Sequence, residues 1–294
     1  MKYEVIIVRY GEIGLKAKAT KRIFENKLIN HIKSTFVKQN ISNKIQIFRG
    51  RIYIYTDQIK QSIIVLQKIF GITSISPAVK TSSKIDSMVT LAIYISKDNI
   101  SKKNSFALRV SRTGTHSFTS QDIAIKLGNE IVNTTGASVN LTNPNFELYI
   151  EIRDKDAYFF IEKIRGIGGL PYGSQGKVLA LIDKKQSILA SWYMLRRGCK
   201  IVFSTNNQSL QKDITSFSNN WHLNNSEILL ISNNDIETIA NKYKYEAVVT
   251  GNNIEDFSEI EKLKTKIKLP ILTPLISMNE KEILEKTKEI GLHI

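Results

Sequence analysis

The stretch VLALIDKKQSILASWYMLRRGC, residues 178–199, decides how the C-terminal part of this 294-residue chain is read. The apolar run 178–182 has the length and composition of a buried strand. After a short polar turn, apolar residues recur at helical spacing over 187–197. Strand, turn and helix in that order are how an α/β nucleotide-binding sheet usually begins. The turn contains no glycine, however, and reads Ile182, Asp183, Lys184, Lys185, Gln186, Ser187. A phosphate cradle needs backbone N–H groups brought close to the ligand, normally through glycines at the helix start. The stretch keeps the order of such a fold and lacks its cradle.

Working outward toward the C-terminus, strand 200–205 is followed by a polar stretch rich in Asn and Ser (205–226). Strand 227–232, helix 235–243 and strand 246–251 come next. A charged stretch, strand 269–276 and a last helix over 279–290 complete the pattern. Alternating β and α elements predict a parallel sheet with helices on its faces. Ligands of such sheets sit at the carboxyl ends of the strands, where 182–187 and Thr250-Gly251 both fall. Toward the N-terminus, RGIGGLPYGSQGK (165–177) carries five glycines and a proline and reads as an ordered linker.

The first 77 residues give strand 3–8, a helix over 20–38 with Ile23, Phe24, Leu28, Ile29, Ile32 and Phe36 on one face, and strands 44–48 and 51–56. Arg49-Gly50 between those strands signals a tight hairpin. A helix over 58–70 and the run ITSISP (72–77) complete the order β-α-β-β-α-β of a ferredoxin-like domain. A second small α/β unit follows: helix 84–98, strand 105–110, helix 120–135 opened by Thr119-Ser120-Gln121-Asp122, and strands 146–153 and 157–164 around Asp154-Lys155-Asp156. The expected division is therefore 1–77, 78–165, a Gly-rich linker 166–177, and 178–294.

Composition narrows the chemistry. One cysteine, Cys199, excludes an internal disulfide, a CxxC metal site and catalysis through a cysteine pair; after a helix, in RRGC, it reads as an ordinary apolar residue at a strand start. The four histidines, His31, His116, His222 and His293, show no metal-ligand spacing, so no metal is expected. No apolar run is long enough to span a membrane and the start lacks a signal peptide's core, so a cytoplasmic protein is expected. Of the net charge of +15, residues 1–77 carry +10, residues 78–177 carry +4 and residues 178–294 carry +1. A Lys-, Ile- and Asn-rich composition alone would spread lysines evenly. The asymmetry points to a polyanion such as nucleic acid.

Two clusters are candidates for that contact. Lys16, Lys18, Lys21 and Arg22 fall within seven residues around a helix start, which suits either a solvated charged face or a phosphate. The segment RVSRTGTHSFTSQD (109–122) sets Arg109, Arg112 and His116 on a strand end and loop. His116 alone reads as a satisfied structural histidine. With Phe118, a ring able to stack on a base, the loop suits single-stranded RNA ends better than duplex DNA.

RYGEIGLK (9–16), RIFENKL (22–28), GITSISP (71–77), TGTHSFTSQDIAIKLG (113–128), LTNPNFELYIEIR (141–153), EKIRGIGGLPYGSQGKVLAL (162–181) and PILTPLISMNEKEIL (270–284) resemble the tRNA 4-thiouridine synthetase family, ThiI, across the chain. The resemblance implies a ferredoxin-like domain, a THUMP domain and an ATP-pyrophosphatase domain of the PP-loop type. In that family the first two hold the tRNA acceptor end, and the third adenylates a uridine carbonyl before sulfur replaces the oxygen; some members also serve thiamine biosynthesis. The sequence departs from the family where that chemistry belongs. The family's Ser-Gly-Gly-Ile-Asp-Ser aligns with 182–187, where only Ser187 survives. Asp183 adds like charge beside the phosphates, for which Lys184 and Lys185 compensate only electrostatically. The motif at Thr250-Gly251 loses its following residues in TGNNIEDFSEIEKL, the 205–245 segment is too short for the family's arginine-bearing helix, and the chain stops at EIGLHI before the region of the family's catalytic cysteine.

The expectation is a tRNA-binding family member with no adenylating or sulfur-transfer activity of its own and no cofactor, ATP-Mg included. Lys16, Lys18, Lys21, Arg22, Arg109, Arg112, His116, Phe118 and Arg165 would contact RNA. The nucleotide-loop positions Ile182, Asp183, Lys184, Lys185, Gln186, Ser187, Thr250 and Gly251 would be retained for the fold. The protein could present tRNA to a separate catalytic subunit, and the family implies a homodimer. The alternative is an active tRNA sulfurtransferase with an altered ATP loop and a cysteine supplied by a partner.

Overall fold

The structure, a computed structural model, describes residues 2–223, 227–230 and 236–292. Of the expectations above, His293, the end of strand 227–232 and the first residue of helix 235–243 lie outside the described residues. In chain order the elements are β1 (Val5–Tyr10), α1 (Lys18–Lys38), β2 (Lys44–Phe48), β3 (Arg51–Tyr55), α2 (Ile59–Leu66), β4 (Ile72–Ser82), α3 (Ile85–Asn99), β5 (Ser105–Thr113), α4 (Ser120–Thr135), β6 (Ser138–Val139), β7 (Phe146–Arg153), β8 (Asp156–Phe160) and β9 (Ile164–Arg165). They continue with β10 (Lys177–Leu181), α5 (Lys185–Arg196), β11 (Lys200–Ser204), α6 (Gln208–Asn220), β12 (Ile228–Leu229), α7 (Ile236–Lys242), β13 (Ala247–Val249), α8 (Phe257–Lys266), β14 (Ile271–Leu272) and α9 (Glu280–Glu289). Among the described residues no helix is long and apolar enough to cross a membrane.

The chain forms two compact units. The first comprises residues 1–9, 41–63 and 74–165; the second comprises 10–40, 64–73 and 166–294. These units cut across the expected boundary at 77, because β4 runs unbroken through Pro77 to Ser82, and α1 belongs to the unit that holds the C-terminal sheet.

One large sheet has the order β2-β3-β1-β4-β8-β7-β5-β6, with β9 also on β4. Its first four strands follow the ferredoxin-like order. The β2–β3 hairpin closes on Arg49 and Gly50, both at positive φ (45° and 76°), the backbone a two-residue primed turn requires and glycine supplies without strain. In β7 the even positions Leu148, Ile150 and Ile152 join the core beneath α3 and α4, while Glu147, Tyr149, Glu151 and Arg153 take the other face. Helix α4 starts at a capping box in which Thr119 and Asp122 each satisfy the other's backbone N–H. The expected strand 157–164 breaks at Phe160, and Ile164–Arg165 pairs separately with Ile75 and Ser74 of β4.

The second unit holds five parallel strands in the order β12-β11-β10-β13-β14. Both faces are covered, which is why these strands read as continuous apolar runs. Val178, Ala180, Ile201, Phe203, Ala247 and Val249 pack in the core with α5, α6 and α9, while Leu179, Val202 and Val248 pack with α7 and α8. The strand order reverses between β10 and β13, so the crevice at their carboxyl ends is the topological switch point. The Gly-rich segment is stitched down rather than free: Gly166 and Gly168 donate to the carbonyls of Thr73 and Ile72, and Leu170 donates to that of Arg196.

Four expectations need correction. The Asn- and Ser-rich stretch contains α6, because Leu210, Ile214, Phe217 and Trp221 recur on one buried stripe under a polar surface. The charged stretch after β13 contains α8 for a similar reason, with Ile260 buried. The strand expected over 269–276 is only Ile271–Leu272. On α1, Ile23 is 54% exposed and does not belong to the buried face formed by Phe24, Leu28, Ile29, Ile32 and Phe36.

Candidate functional site

In the second unit, Lys16 follows a 3-10 turn (Glu12–Leu15), and Lys18, Lys21 and Arg22 occupy the start of α1. Ala17, the cap residue, offers no side-chain hydrogen bond and the first turn carries no acid. The open N–H groups therefore add their partial positive charge to that of the side chains. Lys16, Lys18 and Arg22 are exposed; Lys21 is half-buried and lies 3.9 Å from Glu25. Exposed cations on an uncapped helix start suit a phosphate.

In the first unit the second cluster is tied together more than its sequence suggests. Arg109 donates Nε to Glu147 at 2.7 Å and Nη2 to the Leu141 carbonyl at 2.9 Å. The Tyr149 hydroxyl first, then Arg109, holds the Glu147 carboxyl below its usual range. Arg112 Nη1 donates to the Gly114 carbonyl at 3.1 Å and meets His116 Nδ1 at 3.3 Å, while His116 Nε2 faces the Asp154 carbonyl at 2.7 Å. Those partners place the imidazole proton on Nε2. Phe118 is half-buried against the core under α3 and α4, with its ring 5.1 Å from that of His116, so it packs the loop rather than standing free as a stacking platform. Arg165 is exposed on β9.

At the switch point of the parallel sheet, the loop positions are cross-linked by the chain's own side chains. Lys184 is extended (φ −143°) at the start of α5 and its Nζ bonds Asp256 Oδ2 at 2.7 Å. Lys185 Nζ lies 3.9 Å from Asp213 Oδ2. Gln186 Nε2 donates to the Gly251 carbonyl at 2.7 Å, and the buried Ser187 donates Oγ to Asp183 at 2.6 Å. Asp183 therefore has a donor of its own. Gly251 packs so tightly on Ser187 that a Cβ there would sit 2.5 Å from Oγ and 2.6 Å from Cα and N. Asp256 resists the effect of burial: Lys184 and the Asn253 backbone hold its carboxyl below the usual range. Ile182 is buried in the core, and Thr250 is buried with its hydroxyl unpartnered.

This is the place at which the resemblance implies ATP. At the start of α5 Gln186 bonds the backbone carbonyl of Gly251, and Lys184 pairs with Asp256. The partners Asp256 and Gly251 lie 72 and 65 residues from Lys184 and Gln186, beyond any local sequence signal. Cys199 is buried, and burial, followed by Glu246, pushes its thiol pKa up, the opposite of a reactive thiolate. Among the described residues no three His, Cys, Asp or Glu side chains come together to hold a metal ion.

Comparison with known proteins gives the family. Residues 5–76 match the ThiI ferredoxin-like domain, 82–162 the THUMP domain, and 228–293 the family described as thiamine biosynthesis protein (ThiI). A probable tRNA sulfurtransferase of Methanobrevibacter smithii is 32% identical over 99% of this chain and 87% of its own length. That of Methanocaldococcus jannaschii is 31% identical over 98% and 88%. The first alignment has 339 positions against a chain of 294, so at least 45 positions of that relative fall opposite gaps. Among solved structures, PH1313 from Pyrococcus horikoshii superposes with a TM-score of 0.86 at 28% identity, covering 98% of this chain and all of its own. A 4-thiouridine synthetase solved as an RNA complex with bound ATP superposes with a TM-score of 0.82 at 25% identity, covering 98% and 85%. With ferredoxin-like, THUMP and parallel-sheet parts in the same order, and these relatives matched along nearly its whole length, the chain belongs to the tRNA sulfurtransferase (ThiI) family.

Proposed function

We propose that this chain is a tRNA-binding member of the family that neither adenylates tRNA nor transfers sulfur by itself. The observation that carries this reading is the switch-point crevice, where Gln186, Gly251, Lys184 and Asp256 bond one another in the place a nucleotide's phosphates would need. The THUMP match and the uncapped basic start of α1 support tRNA as the ligand, as does the RNA in the complex of the related 4-thiouridine synthetase. Binding would run mainly through phosphates, with Lys16, Lys18, Lys21 and Arg22 in one unit and Arg109, Arg112, His116 and Arg165 in the other. A separate catalytic subunit to receive the bound tRNA, a homodimeric state and a cytoplasmic location belong to the same reading.

The test is a paired titration of the purified chain with ATP-Mg, by calorimetry, and with a tRNA acceptor-stem minihelix bearing its single-stranded 3′ end, by fluorescence anisotropy. Minihelix binding without ATP binding is the expected result. The relatives' names and the unpartnered Thr250 hydroxyl favour a second reading, an active sulfurtransferase whose loop rearranges around ATP. Saturable ATP binding, with pyrophosphate release that depends on tRNA, would establish that reading and sink the first.

A further inference from the structure

Away from the parallel sheet, the first unit gathers more positive charge than its carboxylates neutralise. Arg9, Arg51 and Arg153 converge on one carboxylate, Glu151. Arg9 Nε donates to Oε1 at 3.0 Å, Arg153 Nη2 donates to Oε2 at 2.8 Å, and Arg51 Nε lies 3.5 Å from Oε2. Arg9 also donates Nη1 to Ser76 Oγ at 3.0 Å and sets its guanidinium over the Phe160 ring at 4.9 Å. Arg9, Glu151 and Arg153 are 9%, 6% and 8% exposed. Three guanidinium groups against one buried carboxylate leave an excess of positive charge where water screens poorly.

The donors around this excess are not all used. Arg153 Nε and the Tyr53 hydroxyl are buried and have no hydrogen-bond partner. Tyr53 is only 2% exposed, and its ring stacks on Tyr158 at 4.7 Å. Tyr53, Tyr158 and Arg153 line a cavity of about 560 Å³ together with Gln46, Phe48 and Lys155. Two carboxylates also line it, but each is engaged: Asp154 with Arg49 at 3.2 Å and Asp156 with Lys80 at 2.9 Å. Lys155 is exposed and has no ion pair among the described residues. Folded proteins leave few buried donors unpaired, so each such group calls for an acceptor. Two orphaned donors beside uncompensated guanidinium charge, on a cavity within the size range of ligand sites, define what the occupant must be: a compact anion with several acceptor oxygens.

We propose that this cavity is a binding site for a phosphate group, held by Arg153 and the Tyr53 hydroxyl. The site uses none of the basic residues assigned above to tRNA. Its phosphate has two possible sources, a small phosphate in solution or a backbone phosphate of bound RNA, and the test separates them.

The full chain is titrated with sodium phosphate at constant ionic strength balanced by chloride, with heat of binding and thermal unfolding as readouts. The expected result is saturable binding that raises the melting temperature above that in chloride. Tyr53→Phe keeps the stacked ring and deletes only the unpaired hydroxyl, and it should weaken phosphate by about five- to tenfold, as expected for one charge-assisted hydrogen bond. Arg153→Lys, which keeps the charge and loses the orphaned Nε, is the companion variant; Tyr53→Phe decides the matter should that variant fail to fold. Minihelix binding by Tyr53→Phe then assigns the source: a parallel loss means RNA supplies the phosphate, and unchanged RNA affinity means a small phosphate does. No saturable phosphate binding, or equal affinity in wild type and Tyr53→Phe, overturns the site and leaves the tRNA reading untouched.

Discussion

Gly251 packs directly on the start of α5. With Ser187 atoms 2.5–2.6 Å from where its Cβ would be, Gly251→Ala forces the start of α5 away from β13. It should destabilise the protein by about 1–3 kcal/mol, read from the denaturation midpoint, because a packed interior absorbs an added methyl only through strain. Two histidines make a second case. Burial, with Lys68 and His31 beside it, pushes His222 down to about 4, and burial also lowers His31, whose Nε2 bonds the His222 carbonyl at 2.9 Å. Their folded pKa values lie below the unfolded value of 6.5, so the unfolded chain takes up protons first as pH falls. Stability should therefore drop as pH falls from 6.5 toward 4. His222→Asn, tolerated at φ 52°, should flatten that slope in melts between pH 6.5 and 5. The glycines missing from 182–187 could be read from the sequence. The contacts that replaced them could not, because Gln186 and Gly251 are neighbours only after the sheet forms.

At the scale of elements, strands were easier to read than polar helices. β10, β11 and β13 announced themselves as apolar runs because both sheet faces bury them. Helix α6 was hidden by composition: its Asn and Ser residues form the solvent side of a stripe set by Leu210, Ile214, Phe217 and Trp221. Its start is fixed by Asn207, whose side chain accepts from the N–H groups of Ser209 at 2.8 Å and Leu210 at 3.3 Å. Asn207→Ala should cost about 1 kcal/mol, measurable as a lower midpoint of unfolding, since two orphan donors at the helix start lose their acceptor. The expected strand after Pro270 failed for the opposite reason. An apolar run bounded by two prolines offers few backbone donors for a ladder, and only Ile271–Leu272 pair with β13.

For the whole molecule, the concentration of charge in the first 77 residues sets how RNA binding should respond to salt. Affinity for the minihelix should fall linearly on a log–log plot against salt, and Lys18→Ala should lower the slope by about 1 while weakening different RNA sequences alike, the signature of a phosphate contact. A salt-insensitive complex would contradict phosphate-led binding. The sequence by itself determined the β-α-β-β-α-β order, the alternation that makes the second sheet parallel, the asymmetry of charge and the absence of glycine from the loop after β10, because each is a property of local spacing or composition. Only the tertiary structure decided that α1 belongs to the compact unit of the C-terminal sheet, that Lys184 meets Asp256 and Gln186 meets Gly251 at the switch point, and that Arg9, Arg51 and Arg153 meet at Glu151. Glu151 lies 142 residues from Arg9, and no pattern along the chain encodes a contact made by strands that meet only when the sheet closes.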